Sequence, residues 1–409
     1  MKLTIPVAAL AVALTSVSAV PIDSSSTHDL TTTGGFAGSL FNALTSSFKD
    51  MFSARLVQTA PDQEPYWTTE FGKQVLWYRG IHFMDLTDTP DLGVLNAART
   101  AASPQSLLQD SSKFPAKVSH KKELKSVFKE ISEDGPRKHL EKFTSFHTRY
   151  YKSETGRQSQ AWLFKTVSEV VKNKDYIKVE EFPHPWGQNS ILLKIKGSNS
   201  TLTKHRGVTI LGAHQDSTNL FPFFAAPGAD DDGSGTVTII EALRILLSAN
   251  WQPQSDVELH WYSAEEGGLL GSQAVAQSYE RKGTKVNAML QQDMTAFVKA
   301  GTEETVGLVS DFVSTPLTKF IGLLVDEYLD IGYTETKLGY AGSDHASWTK
   351  IGADSAFAIE ATFENSNLKR IHTTGDTFDH PEFSFKHLMQ FVRLSAGFVV
   401  ELAGWGEAK

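Results

Sequence analysis

From Pro115 onward the apolar positions of the chain recur with two periods. Leu124, Val127, Phe128 and Ile131, and again Leu163, Val167, Val170 and Val171, fall three or four residues apart and line one face of a helix. The runs 176–182 (YIKVEEF), 190–196 (SILLKIK) and 208–213 (VTILGA) are alternating or continuous in the manner of strands. Beyond them the two patterns alternate: helix at about 234–248, strand at 257–262 (VELHWY), helix at about 271–282, strand at 286–292 (VNAMLQQ). A helix near 315–330, a strand at 355–361 (SAFAIEA) and a closing helix near 382–403 complete the series. This order predicts an α/β domain with a mainly parallel central sheet and helices on both faces.

The N-terminal part reads differently. Lys2 precedes the apolar run LTIPVAALAVAL, and the small-residue ending Val17-Ser18-Ala19 follows, so 1–19 reads as a secretory signal peptide. Residues 20–35 are rich in Ser and Thr without periodicity, 71–92 are aromatic and strand-like, and SPQSLLQDSSKFP is a turn-prone stretch leading to Pro115. A pro-segment over 20–90, extending at most to about 114, followed by the main domain over 91–409, fits this layout; an N-terminal subdomain is the alternative. The expected location is extracellular. Asn199-Ser200-Thr201 is an acceptor sequence for glycosylation at Asn199, consistent with export.

Composition narrows the partners. The 409 residues are 40% apolar with a net charge of −8, and no dense basic cluster offers a surface for nucleic acid. Apart from the leader, no run is apolar enough to suggest a membrane span. Cysteine is absent, which excludes disulfides and thiolate metal sites.

The chemistry lies where strand patterns stop. The strand at 208–213 ends in His214-Gln215-Asp216-Ser217, that at 257–262 in Ser263-Ala264-Glu265-Glu266, and that at 286–292 in Asp293-Met294. Ligands of open parallel sheets sit at the carboxyl ends of the strands, so these groups converge on one edge. Three consecutive aspartates in PGADDDGSG, residues 227–235, lie at the entrance to the intervening helix. One carboxylate there is ordinary capping; three are not explained that way. So many carboxylates in one place resist ionisation without a cation. His214 and His372, in RIHTTGDT, favour zinc or a similar transition metal over calcium or magnesium. The set exceeds one tetrahedral site, and two metals sharing a bridging carboxylate fit it better.

Six ordered motifs, GAHQDS, PGADDDGSG, SAEEGGLLGSQ, QQDMT, GYAGSDHASW and RIHTTGDT, resemble those of the secreted two-zinc leucyl aminopeptidases of metallopeptidase family 28, especially the fungal extracellular ones, over about 115–405. The resemblance implies a zinc-dependent exopeptidase fold and a catalytic domain that binds two Zn2+. In it His214 and Asp293 hold one zinc, Glu266 and His372 the other, and Asp231 bridges both, with a cis bond after Asp231. Asp216 would fix the tautomer of His214, and Glu265 would act as general base on a water activated by the two ions. Tyr340 would donate to the oxyanion. Met294, Ile359, Phe363 and Ile371 match the family's apolar pocket for the first side chain, which implies a preference for Leu and other apolar residues. Related bacterial enzymes carry cysteines where this chain has Leu338 and Gly342. The expected partners are peptides with a free N-terminus, acted on by a monomer. Carboxypeptidases and glutaminyl cyclases share the scaffold. A cyclase would lack the full five-ligand set, and a carboxypeptidase would want basic residues that DMT and ATFENSN do not offer.

Overall fold

The structure is a computed structural model that describes residues 50–102, 113–221 and 223–408. The chain divides at Ser53, and Ala54–Lys409 form one compact unit. The expected signal peptide and the Ser/Thr-rich stretch lie outside the described residues. No described helix is long and apolar enough to cross a membrane.

The unit begins with strand β1 (Ala54–Gln58), strand β2 (Tyr66–Thr69), helix α1 (Glu70–Tyr78), strand β3 (Met84–Asp85) and helix α2 (Val94–Ala102). The three strands form their own small antiparallel sheet. Helix α1 corrects the strand-like reading of 71–92. Thr69 caps it, its hydroxyl accepting from the Gly72 N–H at 3.0 Å, and its buried face is charged, not apolar. Glu70 and Lys73 point inward, with Lys73 Nζ 2.7 Å from Asp85 and Arg55 Nε 2.6 Å from Glu70. Phe71 and Tyr78 are left exposed, so the aromatic residues that suggested a strand do not mark the packed face.

Helices α3 (Lys121–Val127), α4 (Asp134–Phe143) and α5 (Glu154–Val170) lead into strands β4 (Ile177–Phe182) and β5 (Ser190–Ile195), then α6 (Ser200–Arg206) and β6 (Val208–His214). There follow α7 (Gly235–Ser248), β7 (Val257–Tyr262), α8 (Leu270–Lys282), β8 (Val286–Gln292), β9 (Thr305–Val309), α9 (Thr315–Tyr328), β10 (Gly332–Thr336), α10 (His345–Lys350), β11 (Ser355–Ile359) and α11 (Phe385–Ala403). The eight-stranded sheet has the order β10-β9-β11-β8-β6-β7-β5-β4. Its four central strands, β11, β8, β6 and β7, are parallel neighbours; β5 pairs antiparallel with β7, β4 with β5, and β9 with β11. The sheet is therefore mainly parallel at its centre and mixed at its margins.

Alternating side chains feed two cores. Leu211, Ala213, Leu259 and Leu290 face the larger one with α7 and α11, whereas Ile210, Tyr262 and Met289 face a smaller one with Val275 and Trp348 from α8 and α10. Met84, Leu86 and Leu92 of the N-terminal segment belong to that smaller core and are nearly inaccessible. The stretch from Met84 to Leu92 is thus packed into the unit's interior, whereas the helix that follows it buries no residue.

Candidate active site

The parallel register brings the ends of β6, β7, β8 and β11 to one edge, since Gly212 stands beside Gln291 and His260, and Gln292 beside Ala358. The side chains that follow those ends meet there. His214 Nε2 is 3.0 Å from Asp231 Oδ1 and 3.5 Å from Asp293 Oδ1. His372 Nε2 is 2.9 Å from Asp231 Oδ2 and 3.1 Å from Glu266 Oε2. Two triads result, His214/Asp231/Asp293 and Asp231/Glu266/His372, sharing one carboxylate that offers a different oxygen to each. The Asp231–Asp232 peptide bond is cis. Ala264, Met294 and His372 all have positive φ, the left-handed region that non-glycine residues enter at a cost of about 1–3 kcal/mol and that clusters at functional sites.

Whether a cation fits can be judged from what the donors lack. Glu266 Oε1 and Asp293 Oδ1 are buried without a hydrogen-bond partner among the described residues, an arrangement costly unless a positive charge occupies the site. Burial opposes the charge on both imidazoles, yet Asp293, Asp216 and Asp231 around His214, and Glu266 and Asp231 around His372, hold their pKa values well above the ordinary 6.5. Burial pushes Glu266 up to about 7. Burial would raise Asp231 too, but its contacts with His214 and His372 keep it well below the carboxylate range. Protons and a metal ion would compete for these same donor atoms.

The surrounding polar groups fix these candidate ligands. His214 Nδ1 lies 3.2 Å from the carbonyl of Asp216 and 3.5 Å from its carboxylate, while that carboxylate also accepts the backbone N–H groups of Glu265 (3.0 Å) and Glu266 (3.2 Å). Asp216 therefore joins His214 to the loop carrying Glu266. Asp293 Oδ2 accepts from Ser343 Oγ at 2.6 Å. Asp376, four residues beyond His372, accepts the N–H groups of Asp230 and Asp231, each at 3.1 Å, and so anchors the backbone under the shared carboxylate. Glu360, directly after β11, accepts from Phe297 N and Asn367 N. Asp376 was visible in RIHTTGDT, but neither its role nor that of Glu360 has a signal in the linear sequence, because their partners lie about 60 to 145 residues away, or in the adjoining turn.

Glu265 and Tyr340 stand with four of the five candidate ligands, Asp231, Glu266, Asp293 and His372, around a cavity of about 390 Å³, and His214 lies buried outside its lining. Met294, Ile359, Phe363 and Ile371 line it, with Phe357 and Leu338. Burial, with Asp344, Glu266 and Asp293 nearby, pushes Glu265 well above the ordinary carboxylate range. Burial and the same acidic field also raise Tyr340, keeping its hydroxyl protonated. Asp344 and His345 are buried behind the cavity, and His260 and His387 are held inside the fold by Glu258 and Glu304. Asn199 is exposed at the N-terminus of α6, which its Oδ1 caps. The remaining wall comes from the N-terminal segment. Trp77 stacks on His372 with centroids 4.5 Å apart, and His82 on Tyr340 at 3.9 Å.

The model of "Peptidase family M28" matches residues 190–396. The chain belongs to that family. Among curated relatives of this M28 chain, "Leucine aminopeptidase 1" of Phaeosphaeria nodorum is 49% identical over 361 residues, covering 85% of this chain and 88% of that protein. The same-named protein of Sclerotinia sclerotiorum is 47% identical over 363 residues, covering 85% of this chain and 88% of the relative. Of solved structures, the Legionella pneumophila LapA aminopeptidase superposes with a TM-score of 0.72 at 27% identity, over 88% of this chain and 96% of that one.

Proposed function

We propose that this M28 peptidase is a secreted, monomeric leucine aminopeptidase that removes apolar first residues with two zinc ions and Glu265 as proton carrier. The observation that carries it is the shared carboxylate of Asp231, one oxygen toward each histidine-containing triad. Imidazole and carboxylate donors suit zinc. His214 and Asp293 would hold one ion, Glu266 and His372 the other, with Asp231 between. Such a pair, when bound, supplies Lewis acidity that acidifies water and polarises a carbonyl.

The protein's own groups do the rest. Glu265, on the cavity wall, takes a proton from the attacking water and returns it to the departing amine. The protonated Tyr340 hydroxyl donates to the oxygen on which charge develops. Carboxylates of Glu266 and Asp293 receive the free ammonium, and the cavity formed by Met294, Ile359, Phe363 and Ile371 takes the first side chain. Asp216 keeps His214 and the Glu265 backbone in register. The glycan expected on Asn199 sits on the exposed end of α6, away from this chemistry.

Residues 54–90 are read as the described part of a pro-segment, ending at most at about 114, that keeps the enzyme latent. Its supporting feature is the pair of rings, Trp77 and His82, laid on His372 and Tyr340. Because Met84, Leu86 and Leu92 are core residues, a single cut after the segment would leave it bound, and processing to the active protein requires its further degradation.

The decisive experiment combines metal analysis with two substrates. The processed protein is expected to carry two zinc ions, to hydrolyse leucyl amide and to spare N-acetylleucyl amide. Glu265→Gln should keep the zinc and lose about 10²–10⁴-fold in kcat. Equal cleavage of the blocked substrate would refute the aminopeptidase reading, and a Glu265→Gln protein with more than a few per cent of wild-type activity would refute the role of Glu265.

A further inference from the structure

Arg149 is a buried cation directly beneath the acidic centre that the chemistry above does not use. It lies between α4 and α5, where Thr148 bridges Ala226, and it is 0% exposed. A guanidinium carries five N–H donors in a rigid planar fork. In this chain the fork is spent on three backbone carbonyls from two segments. Nε donates to Gln215 O at 2.9 Å, Nη2 to Gly228 O at 2.9 Å, and Nη1 to Pro227 O. Gln215 directly follows His214, and Gly228 stands three residues before Asp231.

The fork is itself held. Its plane lies on the Phe143 ring, 4.1 Å from the centroid. The Arg149 N–H donates to Ser217 Oγ at 3.0 Å, and that hydroxyl donates onward to Ala226 O at 2.8 Å. Gly228 is fitted to the arrangement. It has a φ of +53°, and a Cβ there would come within 2.8 Å of Nη2 and 2.6 Å of Asp231 O. The guanidinium donates to carbonyls rather than to a carboxylate, so its charge is not consumed by a contact ion pair. Asp376, Asp216, Asp232 and Asp231 all lie within its field, and although burial brings the guanidinium down to about 10, it remains a cation at neutral pH.

We propose that Arg149 is a positioning residue of the active site, its guanidinium fork clamping the strand end that carries His214 to the loop that carries Asp231. The proposal rests on the two-zinc reading. The spacing between those two ligands is what lets one carboxylate serve both triads. A lysine keeps the charge but places its donors on one nitrogen, which cannot reach all three carbonyls.

The test uses the processed, zinc-loaded enzyme and its Arg149→Lys variant. Folding is monitored by circular dichroism and thermal melting, zinc retention by competition with a chelator, and kcat and KM with leucyl amide. The clamp predicts a folded variant that loses about 10–100-fold in zinc affinity and in kcat. KM should stay within about threefold, because Met294, Ile359 and Ile371 are untouched. A folded variant whose zinc affinity and kcat both stay within about twofold of wild type overturns the proposal, since a purely structural arginine would shift only the melting curve. Should Arg149→Lys fail to fold, Ser217→Ala decides: it frees the Arg149 backbone and the Ala226 carbonyl, and is expected to weaken zinc retention and kcat together. Wild-type values for both would overturn the proposal. Absence of zinc from the wild-type enzyme would instead refute the reading on which this one rests.

Discussion

Replacing Asp232 by Asn tests how the aspartate run holds its neighbours. The Asp232 side chain is fully buried, and its oxygens accept three backbone N–H groups: His214 N at 3.0 Å on Oδ2, and Gly235 N at 2.8 Å and Met294 N at 3.2 Å on Oδ1. An asparagine loses least by keeping its oxygen on Gly235 and Met294 and turning its amide toward His214, donor against donor. One charge-assisted bond, about 1.5–3 kcal/mol, is lost, and the two that survive become neutral at about 0.5–1.5 kcal/mol each. Against this, burial and the charges of Asp293 and Asp231 already push the Asp232 carboxyl well above its usual range, so removing its charge relieves repulsion. Bound cations would cancel that repulsion. The net cost is therefore expected to be about 3.5–6 kcal/mol in zinc-loaded protein and smaller in chelator-stripped protein. Urea unfolding of both forms measures it. A loaded variant within about 1 kcal/mol of wild type, or a larger loss in the stripped form, would refute the argument.

Two further outcomes are expected. Burial holds His184 at about 3, against an ordinary value of 6.5. A histidine with a lowered folded pKa contributes stability that is complete above 6.5 and is lost as pH falls toward 3, because the unfolded chain takes up the proton first. Relative to wild type, His184→Gln should thus gain about 2 kcal/mol between pH 7.5 and pH 5, read from urea midpoints, and no change in the difference would contradict the burial argument. In the uncut chain, Trp77→Ala with His82→Ala removes two ring stacks worth about 0.5–1.5 kcal/mol each, and should raise leucyl amide hydrolysis about 5- to 100-fold. An uncut double variant as slow as the uncut parent would show that these rings do not maintain latency.

The central strands were legible because they are buried on both sides. Stretches 257–262 and 286–292 coincide with β7 and β8 to the residue, since the apolar residues in each recur at strand spacing between polar loops. Strand β10 was not legible: its sequence GYTET is exposed at all but the last position, and only the register with β9 makes it a strand. Helix α1 misled for the opposite reason, its inward residues being the paired Glu70 and Lys73 and its outward ones aromatic. Helices α4, α6 and α10 were missed as short elements; α6 buries no residue at all. The five candidate ligands could be found because each follows a strand end or stands in a quoted motif. Arg149 and Glu360 could not, since both act through backbone groups whose proximity exists only in the fold.

The same distinction explains why three consecutive aspartates occupy 230–232. Their carboxylates leave the backbone in different directions, and each meets a different segment. Asp230 accepts from Ala296 N, Ser234 Oγ and Asn367 Nδ2, tying the chain beyond β8 to the turn that precedes His372. Asp232 ties His214 to Met294 and to the start of α7. Only Asp231 keeps both oxygens for the histidines. The flanking pair thus acts on the backbones beside His214, Asp293 and His372, while the middle carboxylate faces the ligands themselves. Asp230→Asn should accordingly disturb the His372 side first and Asp232→Asn the His214 side, whereas Asp231→Asn removes charge from both triads at once.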